Sequence, residues 1–236
     1  MRVLIVENTR NTDHGQVGRA LAEAEANVDV VKAFAGEALP ADHRDHDAIV
    51  VFGGEQNARD DVKHPYLPRL ADLMRGFGEA DKAVLGICLG SQVLARAYGG
   101  ENMIGAAPEF GWQAIAATEE GRRDPLILAA GTAEGGFHSF QWHDDTFSLP
   151  PGAAHLAENG AARHQAFRIG RAVYGTQFHF EAHRGVVEQW NSLFPEIAEA
   201  KRPGWIGEHH PREAPTLGER ADAAGLAIAR AWVALV

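Results

Sequence analysis

A chain of 236 residues with 45% hydrophobic and 23% charged residues can bury a sizeable core and lacks the low-hydrophobicity, high-charge signature of disorder. Its net charge of -10 would repel a phosphate backbone, and no run of Lys and Arg interleaved with aromatics makes a local exception, so no nucleic-acid partner is expected. The opening apolar run is too short for a signal peptide and no later one could span a bilayer, which predicts a cytoplasmic protein without membrane contact.

The first half alternates short β-branched runs with helical patterns. Val3–Val6, Val28–Val31, Ile49–Phe52 and Ala83–Cys88 read as strands. Gly15–Ala26 and Tyr66–Phe77 repeat apolar residues at helical spacing, and Asp13 is placed to cap the first of them. This β-α-β series predicts an α/β fold with a flavodoxin-like, doubly wound, mostly parallel sheet. From Asn102 the strand candidates crowd together, as Ile115–Thr118, Phe137–Trp142, Gln165–Ile169 and Ala172–Phe178, which predicts antiparallel strands added to the same sheet. Leu126–Ala130 reads as a short helix and Arg184–Phe194 as a longer one. Lys201–Pro215, rich in Pro, Gly and His, reads as a polar loop. A last helix is expected to open at the capping-box pattern Thr216-Leu217-Gly218-Glu219 and to dock on the sheet through Leu226, Ile228, Trp232 and Val233. No repeat or linker divides the chain, so one domain over 1–236 is expected.

A single cysteine, Cys88, excludes an internal disulfide and a thiolate zinc site, leaving an inert core residue or a reactive one. Its surroundings favour the second. Gly86-Ile87-Cys88-Leu89-Gly90 follows a strand and precedes a helical pattern, as in a G-x-nucleophile-x-G elbow with sulfur in place of oxygen. The N-terminus of the following helix favours thiolate, and the N–H of Leu89 would face an oxygen developing beside the sulfur. Of twelve histidines, His179 stands out because it ends a strand and has Glu181 two residues on. Residues two apart on a strand share a face, so the carboxylate can hold one imidazole nitrogen while the other addresses the sulfur. No third ligand at a recognisable spacing accompanies the pair, so neither a metal nor another cofactor is expected.

These segments resemble those of class I glutamine amidotransferases. Gly86-Ile87-Cys88-Leu89-Gly90-Ser91-Gln92 resembles the family's nucleophile segment, and Gln177-Phe178-His179-Phe180-Glu181 its His-x-Glu segment. Val51-Phe52-Gly53-Gly54 resembles its oxyanion glycine loop, and Trp142-His143-Asp144-Asp145-Thr146-Phe147-Ser148-Leu149-Pro150 its pocket-lining strand and loop. The resemblance covers about residues 1–195 and is nearest to free-standing domains similar to the glutaminase part of GMP synthetase; 196–236 is an extension. It implies a triad of Cys88, His179 and Glu181, an oxyanion hole from the N–H groups of Gly54 and Leu89, and substrate contacts from Gly53, Gln92, Trp142 and His143. The implied reaction hydrolyses the γ-glutamyl amide of glutamine to glutamate and ammonia through a thioester.

Three positions depart from the family pattern. Phe180 replaces a usual Pro between His and Glu, Glu55 follows the glycine pair in place of Pro, and Trp142 replaces a Ser before the pocket histidine. The chain has no room for a synthase, so a glutaminase role requires a separate synthase subunit. The enzymatic rival is a free-standing γ-glutamyl peptidase or hydrolase acting on γ-glutamyl conjugates, with Trp142, Phe110 and Trp112 enlarging the pocket. A rival of another class is a cysteine-based sensor or binding protein, against which an intact His179 and Glu181 argue.

Overall fold

The computed structural model describes residues 1–131 and 136–236. In chain order the first half comprises β1 (Arg2–Glu7), α1 (Gly15–Glu23), β2 (Asn27–Lys32), β3 (Ala48–Val51), α2 (Leu67–Glu79), β4 (Ala83–Ile87) and α3 (Leu89–Ala97). There follow β5 (Asn102–Met103), β6 (Glu109–Ala117), α4 (Pro125–Ala129), β7 (Gly136–His143), β8 (Thr146–Phe147), β9 (Ala154–Glu158), β10 (Ala166–Ile169) and β11 (Val173–Thr176). The last part holds α5 (Arg184–Leu193), α6 (Pro195–Lys201), α7 (His210–Glu213) and α8 (Glu219–Val233).

Nine strands form one sheet in the order β2-β1-β3-β4-β11-β10-β9-β6-β7. The first five run parallel, and from β10 onward each neighbour pairs antiparallel. The parallel part thus has the flavodoxin-like 2-1-3-4-5 order, with β11 in fifth place. Because side chains alternate along a strand, β1 sends Val3 and Ile5 into one core and Leu4 and Val6 into the other. β3 divides the same way, with Ala48 and Val50 on one face and Ile49 and Val51 on the other. Apolar residues of α8 join the first core, and those of α2 and α3 the second, so both faces of the parallel half are covered.

The early elements lie close to the expected bounds, α1 ending earliest, at Glu23 instead of Ala26. Asp13 is not the cap of α1: His14 holds that position without a side-chain cap bond, and Asp13, one residue earlier, accepts from the Gly15 N–H through Oδ1 at 2.8 Å. Later the sequence reading needs correction. β6 starts at Glu109, well before the expected Ile115; β9, with no β-branched residue to announce it, is an addition; and β11 stops at Thr176. Lys201–Pro215 is no loop. It is largely helical, running through wide turns at Trp205–His209 and Ala214–Gly218 on either side of α7 and directly into α8. Thr216 therefore sits inside helical backbone, where its hydroxyl donates to the carbonyls of Arg212 and Glu213 instead of capping a new helix. Trp205, fully buried, anchors this segment by donating its indole N–H to Asn191 at 2.7 Å. No helix among the described residues is long and apolar enough to cross a membrane.

Candidate active site

The turn from β4 into α3 is sharp enough to hold Cys88 at φ 52°, ψ -111°, a region that residues with a side chain rarely occupy. Two close approaches explain the flanking glycines. A Cβ on Gly86 would lie 2.4 Å from the carbonyl oxygen of Gly90, and one on Gly90 would lie 2.0 Å from that of Val51 in β3. The Cys88 N–H donates to Thr176 at the end of β11, at 2.8 Å. The Cys88 carbonyl starts the helix, accepting from Ser91 and Gln92 at 3.0 and 3.1 Å. The N–H groups of Leu89 and of Gly54 have no hydrogen-bond acceptor among the described residues, as befits the first turn of a helix and the end of a glycine loop.

His179 comes just past the regular part of β11 and is fixed by a single bridge to β7, its N–H donating to the Phe140 carbonyl at 2.9 Å. Glu181 lies in the turn that follows, not on a strand, yet its Oε1 is 2.7 Å from His179 Nδ1. The backbone of Glu181 is itself clamped, since its carbonyl accepts from Gln16 N–H at the start of α1 at 2.9 Å. Phe180 points away into the core beside Phe178, with ring centroids 6.3 Å apart, so the residue that replaces the usual Pro costs the pair nothing. The imidazole and the thiol border the same side of the glycine loop: a Cβ on Gly53 would be 3.2 Å from His179 Cε1 and 3.9 Å from Cys88 Sγ. Burial alone would lower the pKa of His179, but the Glu181 carboxylate and the Cys88 sulfur together push it well above the usual histidine range.

Cys88, His179 and Glu181 open on a cavity of about 190 Å³. Its walls come from the loops after β1 (Thr9, Asn11, Thr12 and Asp13) and β3 (Phe52–Glu55), from Trp142, and from Trp190, Phe194 and Ile197 at the end of α5 and start of α6. Here the connection leaving β1 turns to β2 on one side and the connection leaving β3 turns to β4 on the other, the topological switch where open α/β sheets bind ligands. Of the residues expected around substrate, Gly53, Gly54 and Trp142 line this cavity. Gln92 and His143 do not, and stand buried behind its wall. Gln92 Nε2 donates to Gln177 Oε1 at 3.2 Å and lies 3.5 Å from the Asp145 carbonyl. His143 is held between that carbonyl at 3.0 Å, Glu109 Oε2 at 3.1 Å and Gln141 Oε1 at 3.1 Å. Both brace the segment that carries Trp142, whose carbonyl is 3.9 Å from Cys88 Sγ.

Phe110 and Trp112 also fall outside the lining. They pack against Phe140 and Trp205 in the aromatic core behind the site. Three groups of site residues escape the sequence reading. Thr9, Asn11, Thr12 and Asp13 could be found from their place after the first strand, and Trp190 and Phe194 from their i, i+4 spacing on a predicted helix. Glu109, the buried centre of the His143 network, has no signal in the sequence. No cluster of three metal-binding side chains is present among the described residues.

The family model for glutamine amidotransferase class-I matches residues 9–190. The chain belongs to this family. Among class I glutamine amidotransferases and their relatives, the glutamine amidotransferase-like protein YfeJ of Salmonella typhimurium is 37% identical over 153 residues, 64% of this chain and 63% of its own length. One of the subunits of the glutamine-hydrolyzing GMP synthase of Natronomonas pharaonis is 30% identical over 200 residues, 83% of this chain and 97% of its own. Crystal structures of glutamine amidotransferases from Methylobacillus flagellatus and Thermotoga maritima superpose with TM-scores of 0.83 and 0.80. They are 28% and 25% identical, cover 100% and 97% of this chain, and are covered over 95% and 98% of theirs. Membership supports glutamine-amide hydrolysis or transfer as the class of chemistry and agrees with the sheet order found here.

Proposed function

We propose that this protein hydrolyses a γ-glutamyl amide through a thioester on Cys88, glutamine being the simplest such substrate. The observation that carries the reading is one constellation. A cysteine in strained backbone at a helix N-terminus faces, across one cavity, an imidazole held at 2.7 Å by a buried carboxylate.

In the first half-reaction the Cys88 sulfur adds to the amide carbon. The carbonyl oxygen becomes an oxyanion, which the unpaired N–H groups of Leu89 and Gly54 would receive. His179, cationic through Glu181, gives its proton to the departing nitrogen as the C–N bond breaks. The neutral imidazole then takes a proton from water, whose oxygen attacks the thioester; the C–S bond breaks and the glutamyl group leaves as glutamate. Glu181 orients the ring through its 2.7 Å contact with Nδ1. Gln92 and His143 act indirectly, by fixing the Trp142–Asp145 segment beside the sulfur.

With glutamine the leaving group is ammonia. Several relatives are named as one of the subunits of a GMP synthase, which supports a separate synthase protein as the receiver of that ammonia. The test is glutamate release by the isolated protein from glutamine and from a panel of γ-glutamyl amides. Iodoacetamide labelling of the sole cysteine should abolish it stoichiometrically, and glutamate release that survives in Cys88→Ala would overturn the assignment.

A further inference from the structure

The side of the cavity next to His179 is built for something other than ammonia. The nitrogen that leaves must lie within hydrogen-bond reach of the imidazole that protonates it, so any substituent on that nitrogen projects past His179. What it meets there is aromatic. Trp190 stands edge-on to the His179 ring with centroids 5.2 Å apart, Trp142 lies 5.8 Å from Trp190, and Phe194 lies 6.1 Å from Trp142. Ile197, about half exposed, extends the wall toward solvent. Trp142, Trp190 and Phe194 are each only partly covered, so their free faces are the cavity surface.

The charges lining the cavity narrow the choice further. Apart from His179, the charged side chains there are the carboxylates Asp13, Glu55 and Glu181; no Lys or Arg lines it among the described residues. The glutamyl part already brings one carboxylate, and an amino-acid leaving group would add a second against the aromatic wall beside His179, where no Lys or Arg stands to pair it. Glu55 already accepts from the Thr9 hydroxyl at 2.8 Å and Asp13 from the Gly15 N–H, and the wall beside His179 itself carries no carboxylate other than the one bound to the imidazole. Resting on the γ-glutamyl amide hydrolysis proposed above, we infer that the preferred substrate is the γ-glutamyl amide of an uncharged, apolar amine, best an aromatic or arylalkyl one. Water and γ-glutamyl-NH-R then give glutamate and the free amine R-NH₂, with no further reactant.

The experiment compares kcat/KM of the purified protein on γ-glutamyl benzylamide and γ-glutamyl methylamide, two N-alkyl amides of similar intrinsic reactivity. Glutamine, γ-glutamylglycine and mono-γ-glutamyl-1,4-diaminobutane are run alongside. Apolar contacts at the scale of one methylene discriminate about 10- to 200-fold, so the benzylamide should exceed the methylamide at least about tenfold. It should also exceed both charged conjugates, and Phe194→Ala should lower the benzyl-to-methyl ratio at least about threefold. If glutamine or the methylamide matches the benzylamide, or if the glycine or diamine conjugate is best, the apolar-amine inference falls. Cys88-dependent glutamate release from any of these would meanwhile leave the hydrolase reading standing. Should none of the amides give Cys88-dependent glutamate, both fall together.

Discussion

Replacing Gly90 by alanine sets two effects against each other, and the structure decides between them. In a free helix the change should stabilise by up to about 1 kcal/mol, because glycine is the poorer helix former. At Gly90, however, the new Cβ would start 2.0 Å from the Val51 carbonyl oxygen, where ordinary contact begins at 3.4 Å, so α3 and β3 would have to part by about 1.4 Å. Val51 pairs with Gly86 and Val6 within the sheet and cannot give way cheaply. Overpacking of this kind costs about 1–3 kcal/mol and occasionally more. We take the upper end, for a net loss of about 2 kcal/mol, or a fall in Tm of about 4–8 °C for a chain of this length. Gly76 in α2 supplies the control, since a Cβ there would meet only His43 Nδ1 at 3.6 Å. Gly76→Ala should raise Tm by about 2–4 °C. Because α3 carries Cys88 and Leu89 at its start, a displacement near 1 Å should also reduce turnover about 100-fold in Gly90→Ala. Thermal denaturation followed by circular dichroism and steady-state glutamate release read the two effects. A Gly90→Ala protein as stable as Gly76→Ala, or within tenfold of wild-type turnover, would refute the close-approach argument.

Within the proposed triad, losses should be unequal: His179→Ala should approach Cys88→Ala in single-turnover assays, while Glu181→Gln, which removes only the orienting charge, should retain more activity. Equal damage would point to another base. The raised pKa of His179 predicts a pH signature. A group whose folded pKa exceeds its unfolded value of about 6.5 contributes fully below that value and loses its contribution as pH rises through the folded pKa. The stability advantage of the unmodified protein over Glu181→Gln should therefore shrink from about pH 6.5 upward in denaturant titrations; an advantage that grows toward alkaline pH contradicts the pairing. Finally, Trp205→Ala should destabilise by about 3–5 kcal/mol, measured by urea unfolding, because the ring is fully buried 5.0 Å from Phe110 and 5.5 Å from Trp112.

The sequence is most legible where local chemistry and local structure coincide. Gly86 and Gly90 flank Cys88 because backbone passes within reach of both, and that constraint is written as residue identity. His179 and Glu181 stand out by their spacing, although a shared strand face explains that spacing only in part: β11 ends at Thr176, and the pair meets across a turn held by Phe140 and Gln16. Where tertiary contacts set the structure, the sequence is silent or misleading. Ala154–Glu158 pairs because β6 and β10 flank it, not through its own propensity. Pro203, Gly204, Pro211 and Pro215 look like loop punctuation. Yet Pro211 and Pro215 fall in first turns of helical segments, where a missing N–H is harmless, and Trp205 ties the whole stretch to the aromatic core. Gln92 and His143 show the converse limit. A family motif carries their identity, while their burial and partners are properties of the folded surroundings.

The placement of β1 between β2 and β3 bears on how this protein could be shortened or grafted. The region matched by the family model begins at residue 9, beyond β1, and ends at residue 190, before Trp205 and α8. A fragment cut at those borders would lose an interior strand, splitting β2 from the rest of the sheet. It would also uncover the side of Phe110, Trp112 and Phe140 that Trp205 now covers, and the Phe180 carbonyl against which Gly225 packs directly above the His179–Glu181 turn. The borders of resemblance are thus not seams of the molecule. A heterologous fusion or inserted reporter belongs instead near Val62, whose side chain is almost wholly in solvent on a turn that no strand depends on.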